Sequence, residues 1–145
     1  MTIRCEIVSQ DRMVFTGDVD IVVLPGATGE MGILPKHAPV LTSLKFGIIK
    51  IRKGGKEEVF TVAGGIAEVQ PDIVTVLADA AENVQEIDIA RADAARVRAE
   101  EALAKGLSAD TDTYLAMEAA LRKSNLRLDA ARRYGKIARS PYSEK

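Results

Sequence analysis

The chain of 145 residues contains no tryptophan, three phenylalanines, three tyrosines, one cysteine and one histidine. Single-strand nucleic-acid binders and carbohydrate sites stack their ligands on aromatic rings, so this scarcity disfavours both classes. A zinc site takes about four nitrogen or sulfur ligands; Cys5 and His37 are all that the chain offers of those two residue types. No intrachain disulfide can form, as expected of a reducing compartment. Neither sign of charge dominates: 20 Lys+Arg stand against 21 Asp+Glu, a net of −1. A general nucleic-acid binder needs a large positive excess to neutralise phosphates, so the balance argues against that class. Long apolar runs are missing too. Ile21-Val22-Val23-Leu24 stops at Pro25, far short of the ~20 residues that a membrane-spanning helix needs. Arg4 and Glu6 interrupt the first eight residues, so no signal peptide is expected. A soluble intracellular protein is expected, with any membrane role arising through partners.

What is present is enough for a core. At 47% hydrophobic residues the chain is not disordered, and its length suits one domain or a small domain with an appendage. The composition then splits. Residues 1–86 carry 8 basic and 12 acidic side chains, whereas residues 87–145 carry 12 and 9. Nine of the 11 glycines and four of the five prolines fall in the first part, and 14 of the 21 alanines in the second. Glycine and proline punctuate strands and turns, while alanine favours helix. The expected fold class is therefore α+β by domain. An N-terminal flattened β-sandwich or barrel over 1–86 is followed by an antiparallel two-helix hairpin over 87–145.

In the first part, Ile3, Cys5 and Ile7 alternate with Arg4, Glu6 and Val8, and Asp11-Arg12 makes a turn. Val14–Leu24 reads as an extended stretch interrupted at Gly17-Asp18. Short strands are expected at Val40–Leu44, Ile48–Arg52, Val59–Val62, Ile66–Val69 and Ile73–Leu77, separated by Gly47, Gly54-Gly55, Gly64-Gly65 and Pro71-Asp72. Gly54-Gly55 is a hairpin signal. In the second part, Asp88 is an expected N-cap for a helix whose apolar stripe is Ile89, Ala92, Ala95, Ala99, Ala102 and Leu103. Gly106 ends that helix, and Ser108 or Asp110 caps the next. There Tyr114, Met117, Leu121, Ser124, Leu128 and Ala131 form a seam with one polar member. An alanine-rich seam permits close approach but buries little area at roughly 25 cal/mol per Å², so the hairpin has a thin reserve of stability.

From Ala119 to Arg139 there are seven basic residues (Arg122, Lys123, Arg127, Arg132, Arg133, Lys136, Arg139) and one acid, Asp129. Such a stretch is either a solvated face whose cations suit a helix C-terminus or a docking surface for an acidic partner or polyphosphate. Enzyme motifs are wanting. Gly26, Gly29 and Gly32 have neither Walker nor dinucleotide-loop spacing, and Gly55-Lys56 is followed by Glu57. Cys5 in an alternating strand reads as a small buried thiol and not a nucleophile. His37, in Leu34-Pro-Lys-His-Ala-Pro39, reads as a turn or contact residue. No activity of its own is expected of the chain.

One segment is more specific: Pro25-Gly26-Ala-Thr-Gly29-Glu-Met-Gly32-Ile-Leu-Pro35-Lys-His37-Ala-Pro39. Together with Leu44-Lys-Phe-Gly47, Val62-Ala-Gly64-Gly65-Ile-Ala-Glu68-Val and Val76-Leu-Ala-Asp79-Ala-Ala-Glu82, it resembles the epsilon-subunit family of F-type ATP synthases (delta in mitochondrial naming). The resemblance runs in order through nearly the whole chain. It implies a non-catalytic rotor subunit with no required cofactor. Its sandwich would clamp the foot of the gamma subunit and touch the ring of c subunits through a loop carrying Glu30, Met31 and His37. The hairpin would lie folded or extend beside gamma. Extended, it would dock Arg122, Lys123, Arg127, Arg132 and Arg133 on acidic segments of the beta subunits and block ATP hydrolysis.

Some family members bind ATP in the folded hairpin through a motif I/L-D-x-x-R-A, which Ile87-Asp88-Ile-Ala-Arg91-Ala92 matches completely. The implied companions are Glu82, Arg98, Lys123 and Arg127. The usual form has Arg and Ala where Lys123 and Ser124 stand, and Lys offers a point charge where Arg offers a fork. ATP would then be a regulatory ligand. In the alternative reading Asp88 only caps the helix while Arg91 and Arg98 face solvent. The implied location is the cytoplasmic face of a bacterial plasma membrane, or the equivalent organellar face, reached only through the complex. A free-standing nucleotide-binding regulator is the alternative function.

Overall fold

The protein's structure, a computed structural model, describes residues 1–105 and 110–135. The chain divides into two compact units, Met1–Asn83 and Val84–Lys145.

The first unit is all β: β1 (Ile3–Val8), β2 (Met13–Val19), β3 (Ile21–Gly26), β4 (Gly29–Ile33), β5 (Val40–Lys53), β6 (Lys56–Val69), β7 (Ile73–Ala78) and β8 (Ala81–Asn83). The strand order is β2-β1-β7-β6-β5-β3-β4, with β8 paired to β6. All neighbours are antiparallel except β1 and β7, which run parallel with Cys5 opposite Val74. Phe15 of β2 meets Phe60 of β6 edge-on, with ring centroids 5.7 Å apart. Two strands separate β2 from β6 in the order, so this contact closes the curled sheet into two layers. Alternating residues fill the space between them: Ile3, Cys5 and Ile7 of β1, Val22 and Leu24 of β3, Val74 and Val76 of β7, all fully buried.

Two expectations about strand length are corrected. Val40–Leu44 and Ile48–Arg52 are one strand, β5, and Val59–Val62 and Ile66–Val69 are one strand, β6. The glycines between them do not end the strands: Gly47 stays in the ladder opposite Val62, and Gly64-Gly65 bend β6. Gly64 and Gly65 have φ of +89° and +136°, values that side chains with a Cβ rarely adopt. Past this bend β6 changes partner: Phe60–Val62 pair with β8, and Gly65–Val69 with β7. The expected break at Gly17-Asp18 also moves. Gly17 sits within the ladder opposite Cys5, and the chain turns at Asp20. The glycine-spaced segment after Leu24 is a hairpin of β3 and β4. The Gly54-Gly55 turn forms as expected, with φ of +58° and +79°, the double-positive signature of a type I′ hairpin.

The second unit opens with a 3₁₀ turn at Val84–Glu86, followed by α1 (Ile89–Lys105) and α2 (Thr111–Ala130), which continues as a π-turn over Ala131–Gly135. Asp88 caps α1 by accepting the Arg91 N–H at 3.1 Å. Asp110 caps α2 by accepting the Thr113 N–H at 2.7 Å. Gly106 and Ser108 lie outside the described residues. Ala92 and Ala99 of α1 and Ser124, Leu128 and Ala131 of the second helical stretch are buried, at helical spacing. Ile89 and Tyr114 depart from the expected stripes and are exposed. Arg96 holds Asp93 at 2.8 Å and Glu100 at 2.8 Å, knitting the flank of α1.

Two titrations test these placements. Burial, with the neighbouring Glu6 carboxylate adding to it, pushes the Cys5 thiol from 9.0 to about 12. The folded state keeps its proton while the unfolded chain loses one, so stability is full below pH 9.0 and declines toward pH 12. At pH 9.0 the folded protein should resist a thiol reagent that labels the denaturant-unfolded chain at once; equal labelling would displace Cys5 from the core. Asp110 is held below the usual carboxylate range by the Thr113 backbone N–H and then by the Thr113 hydroxyl. Its stabilisation is present above the unfolded carboxylate range and is lost as pH falls through its lowered value. Asp110→Ala should reduce helical circular dichroism at neutral pH, while Asp110→Asn, which keeps the cap without the charge, should retain most of it.

Candidate functional site

The sandwich carries an apolar row on its outer face. Met13 pairs with Val8, Val8 with Leu77, and Leu77 with Ile66 across β2, β1, β7 and β6. Met13, Leu77 and Ile66 are 50%, 49% and 44% exposed. Beside this row runs an open groove of about 430 Å³, lined by Val8, Ser9, Gln10, Gly65, Ile66, Leu77, Ala78 and Asp79. Contiguous exposed apolar surface on a soluble domain marks a contact site. This row was not expected from the sequence. Its signal is the loss of alternation at Ile7-Val8 and Val76-Leu77, but only the strand register brings the residues together.

Glu30 and Met31 lie on strand β4 and not on a loop, opposite Pro25 and Leu24. Glu30 is exposed, and Met31 is half-buried against the core. His37 alone is in the loop. Its N–H donates to the Leu34 carbonyl at 3.2 Å, and its Nδ1 lies 2.7 Å from the Ala38 carbonyl oxygen. Lys36 takes a left-handed φ of 66°, and its N–H reaches the Pro71 carbonyl at 2.8 Å, fastening this loop to the turn between β6 and β7.

On the hairpin, Arg91 and Arg98 each precede a buried alanine, Ala92 and Ala99, by one position. Lys123 and Arg127 precede Ser124 and Leu128 in the same way. In two antiparallel right-handed helices, positions just before the seam fall on the same side of the pair. The four cations therefore share one lip. Arg91, Arg98 and Lys123 are exposed and Arg127 is half-buried. Ile87 is buried and Asp88 is engaged in its cap. Glu82 is half-buried on β8, in the other unit. Asp88 thus caps α1 while Arg91 and Arg98 face solvent. Of the expected docking cations, Arg122, Lys123, Arg132 and Arg133 are exposed. The Arg133 guanidinium lies 5.9 Å from the Tyr134 ring centroid. Lys136 and Arg139 lie outside the described residues.

Among the described residues no His, Cys, Asp and Glu side chains group as metal ligands, and no helix is long and apolar enough to cross a membrane.

Residues 2–84 match the model of the ATP synthase delta/epsilon chain beta-sandwich domain, and residues 85–132 that of the delta/epsilon chain long alpha-helix domain. An ATP synthase epsilon chain of Pelotomaculum thermopropionicum is 56% identical over 104 residues, covering 72% of this chain and 78% of that one. One from Dehalococcoides mccartyi is 46% identical over 134 residues, covering 89% and 91%. Among solved structures, a chain in the OSCP/F1/c-ring structure of Euglena gracilis mitochondrial ATP synthase superposes with a TM-score of 0.72 at 28% identity, covering 90% of this chain and 81% of that one. Matched along both of its units, the chain belongs to the ATP synthase delta/epsilon chain family.

Proposed function

We propose that this chain is a non-catalytic central-stalk subunit that joins the rotor through its sandwich and restrains ATP hydrolysis through its hairpin. The observation that carries this reading is the uncovered row of Met13, Val8, Leu77 and Ile66 on a sheet whose opposite face is a packed core. A free-standing regulator would expose that row to water throughout its life. A stalk subunit covers it, and gamma is the partner that we assign to it. Glu30, Met31 and His37 are assigned to the c ring, through which the chain reaches the membrane and couples ion-driven rotation to the catalytic head.

The hairpin supplies the regulation. Arg122, Lys123, Arg127, Arg132 and Arg133 make its second helical stretch basic, which suits acidic segments of the beta subunits. Apart from Leu128, its buried seam of Ala92, Ala99, Ser124 and Ala131 is built of small side chains. Coulomb attraction to the head therefore competes with a weakly held closed hairpin, a two-state switch that a ligand biases by its differential affinity. ATP is the ligand that we assign to the lip. Arg91, Arg98, Lys123 and Arg127 would meet the phosphates, with Ile87, Asp88 and Ala92 forming the entry turn. Binding there draws the two helices together and opposes extension.

The reading is tested by removing residues 88–145. The enzyme should still assemble with the shortened chain, because the docking row is in the sandwich, and its ATP hydrolysis should rise. Loss of assembly, or unchanged hydrolysis, contradicts the division of labour. For the nucleotide, calorimetry on the isolated chain should detect ATP binding. Arg91→Ala and Arg127→Ala should each weaken it by about tenfold or more, as expected when one charge-assisted contact is lost. No heat of binding to the unmutated chain at millimolar ATP ends the sensing role.

A further inference from the structure

Among the residues that line the groove on the outer face, Asp79 alone is charged. Asp79 lines the groove beside Leu77 and Ile66. Its N–H donates to the Gly64 carbonyl at 3.1 Å, and a Cβ on Gly64 would come within 2.9 Å of its Oδ2. The bare backbone at Gly64 thus leaves the carboxylate room on the groove's rim. Two other acids of this sheet are paired, Asp18 with Arg4 at 3.1 Å and Glu57 with Arg52 at 2.7 Å. Asp79 is exposed, and among the described residues no cation pairs with it. The other polar side chains lining the groove, Ser9 and Gln10, are neutral.

Covering this groove with a purely apolar segment would strip water from the Asp79 carboxylate and give nothing in return, which is costly for an ion. An arginine or lysine beside the apolar contact would remove that cost and supply orientation. We propose that the groove receives a segment of the stalk partner in which apolar side chains pack on Val8, Ile66 and Leu77 while an adjacent cationic side chain pairs with Asp79. This rests on the reading that the stalk covers this face, and it adds the chemistry of the contact. Gly64 acts as a positioning residue, because any larger side chain there moves the carboxylate.

The test titrates the full-length chain onto ATP synthase depleted of its epsilon subunit and reads affinity against salt. Asp79→Asn should bind about three- to tenfold more weakly at low ionic strength, with a shallower salt dependence, converging on the unmutated chain at high salt. Asp79→Glu should recover part of the loss, and Asp79→Lys should bind worse than Asp79→Asn. Leu77→Glu reads the face itself and should abolish binding, with a melting temperature near that of the unmutated chain because the side chain is already half exposed. If Leu77→Glu abolishes binding but Asp79→Asn matches the unmutated chain at every salt concentration, the cationic contact is wrong and the stalk reading stands. If Leu77→Glu also binds normally, both fall. A dimer of the isolated chain in sedimentation that Leu77→Glu dissolves would make the occupant a second copy and overturn the proposal.

Discussion

The tightest constraint in the sandwich is the approach of β6 to β7 at Gly65, where a Cβ would lie 2.3 Å from the Leu77 carbonyl oxygen and 2.8 Å from the Ala78 Cα. No side chain fits there, and the φ of +136° disfavours one as well. Much else follows from that contact. With Gly64, it lets one 14-residue strand serve β8 with one half and β7 with the other, so the sheet curls into two layers around a single core. It brings Ile66 and Leu77 side by side on the outer face. It also leaves the Asp79 carboxylate on the rim of the groove that they share. The same pair of glycines thus serves packing on one face and the proposed recognition on the other.

The hairpin follows a different logic. Its caps are polar and local, Asp88 and Asp110 each holding the N–H three residues on. Its seam is small: Ala92, Ala99 and Ser124 bury little apolar area, while Leu128 is a large side chain fully enclosed. Such a pair of helices is held by modest forces, and its cations stand one position off the seam, where a polyanion or an acidic surface can reach them. The proposed switch draws on both features, because a ligand shifts an equilibrium by its differential affinity for the two states, and a weakly held closed state needs less of it.

Much of this was legible in the sequence, for identifiable reasons. The alternation of Ile3, Cys5 and Ile7 gave away a half-buried strand, Gly54-Gly55 its hairpin, and Asp88 and Asp110 their helix starts, since each is a local pattern with a local cause. The merging of four expected strands into β5 and β6 was not legible. Gly47 and Gly64-Gly65 read as strand ends, and only the tertiary pairing shows that the strands run through them. Ile89 and Tyr114 fit the helical period yet lie exposed, because the period marks a stripe wider than the contact it makes. Arg91, Arg98, Lys123 and Arg127 each stand one position before a buried seam residue, whereas Glu82 belongs to a strand of the other unit. The row from Met13 to Ile66 was hidden for another reason. Its members come from four strands, and only the register makes them neighbours.

The outer row of the sandwich is the proposed face by which the chain joins the stalk. Side-chain footprinting with hydroxyl radicals, on the full-length chain free and assembled in ATP synthase, tests it most directly. Met13, Ile66 and Leu77 should be modified in the free chain and protected together in the assembled enzyme, while the fully buried core residues Leu24 and Val74 are silent in both. Retention of free-chain labelling at Met13, Ile66 and Leu77 after assembly would contradict the account.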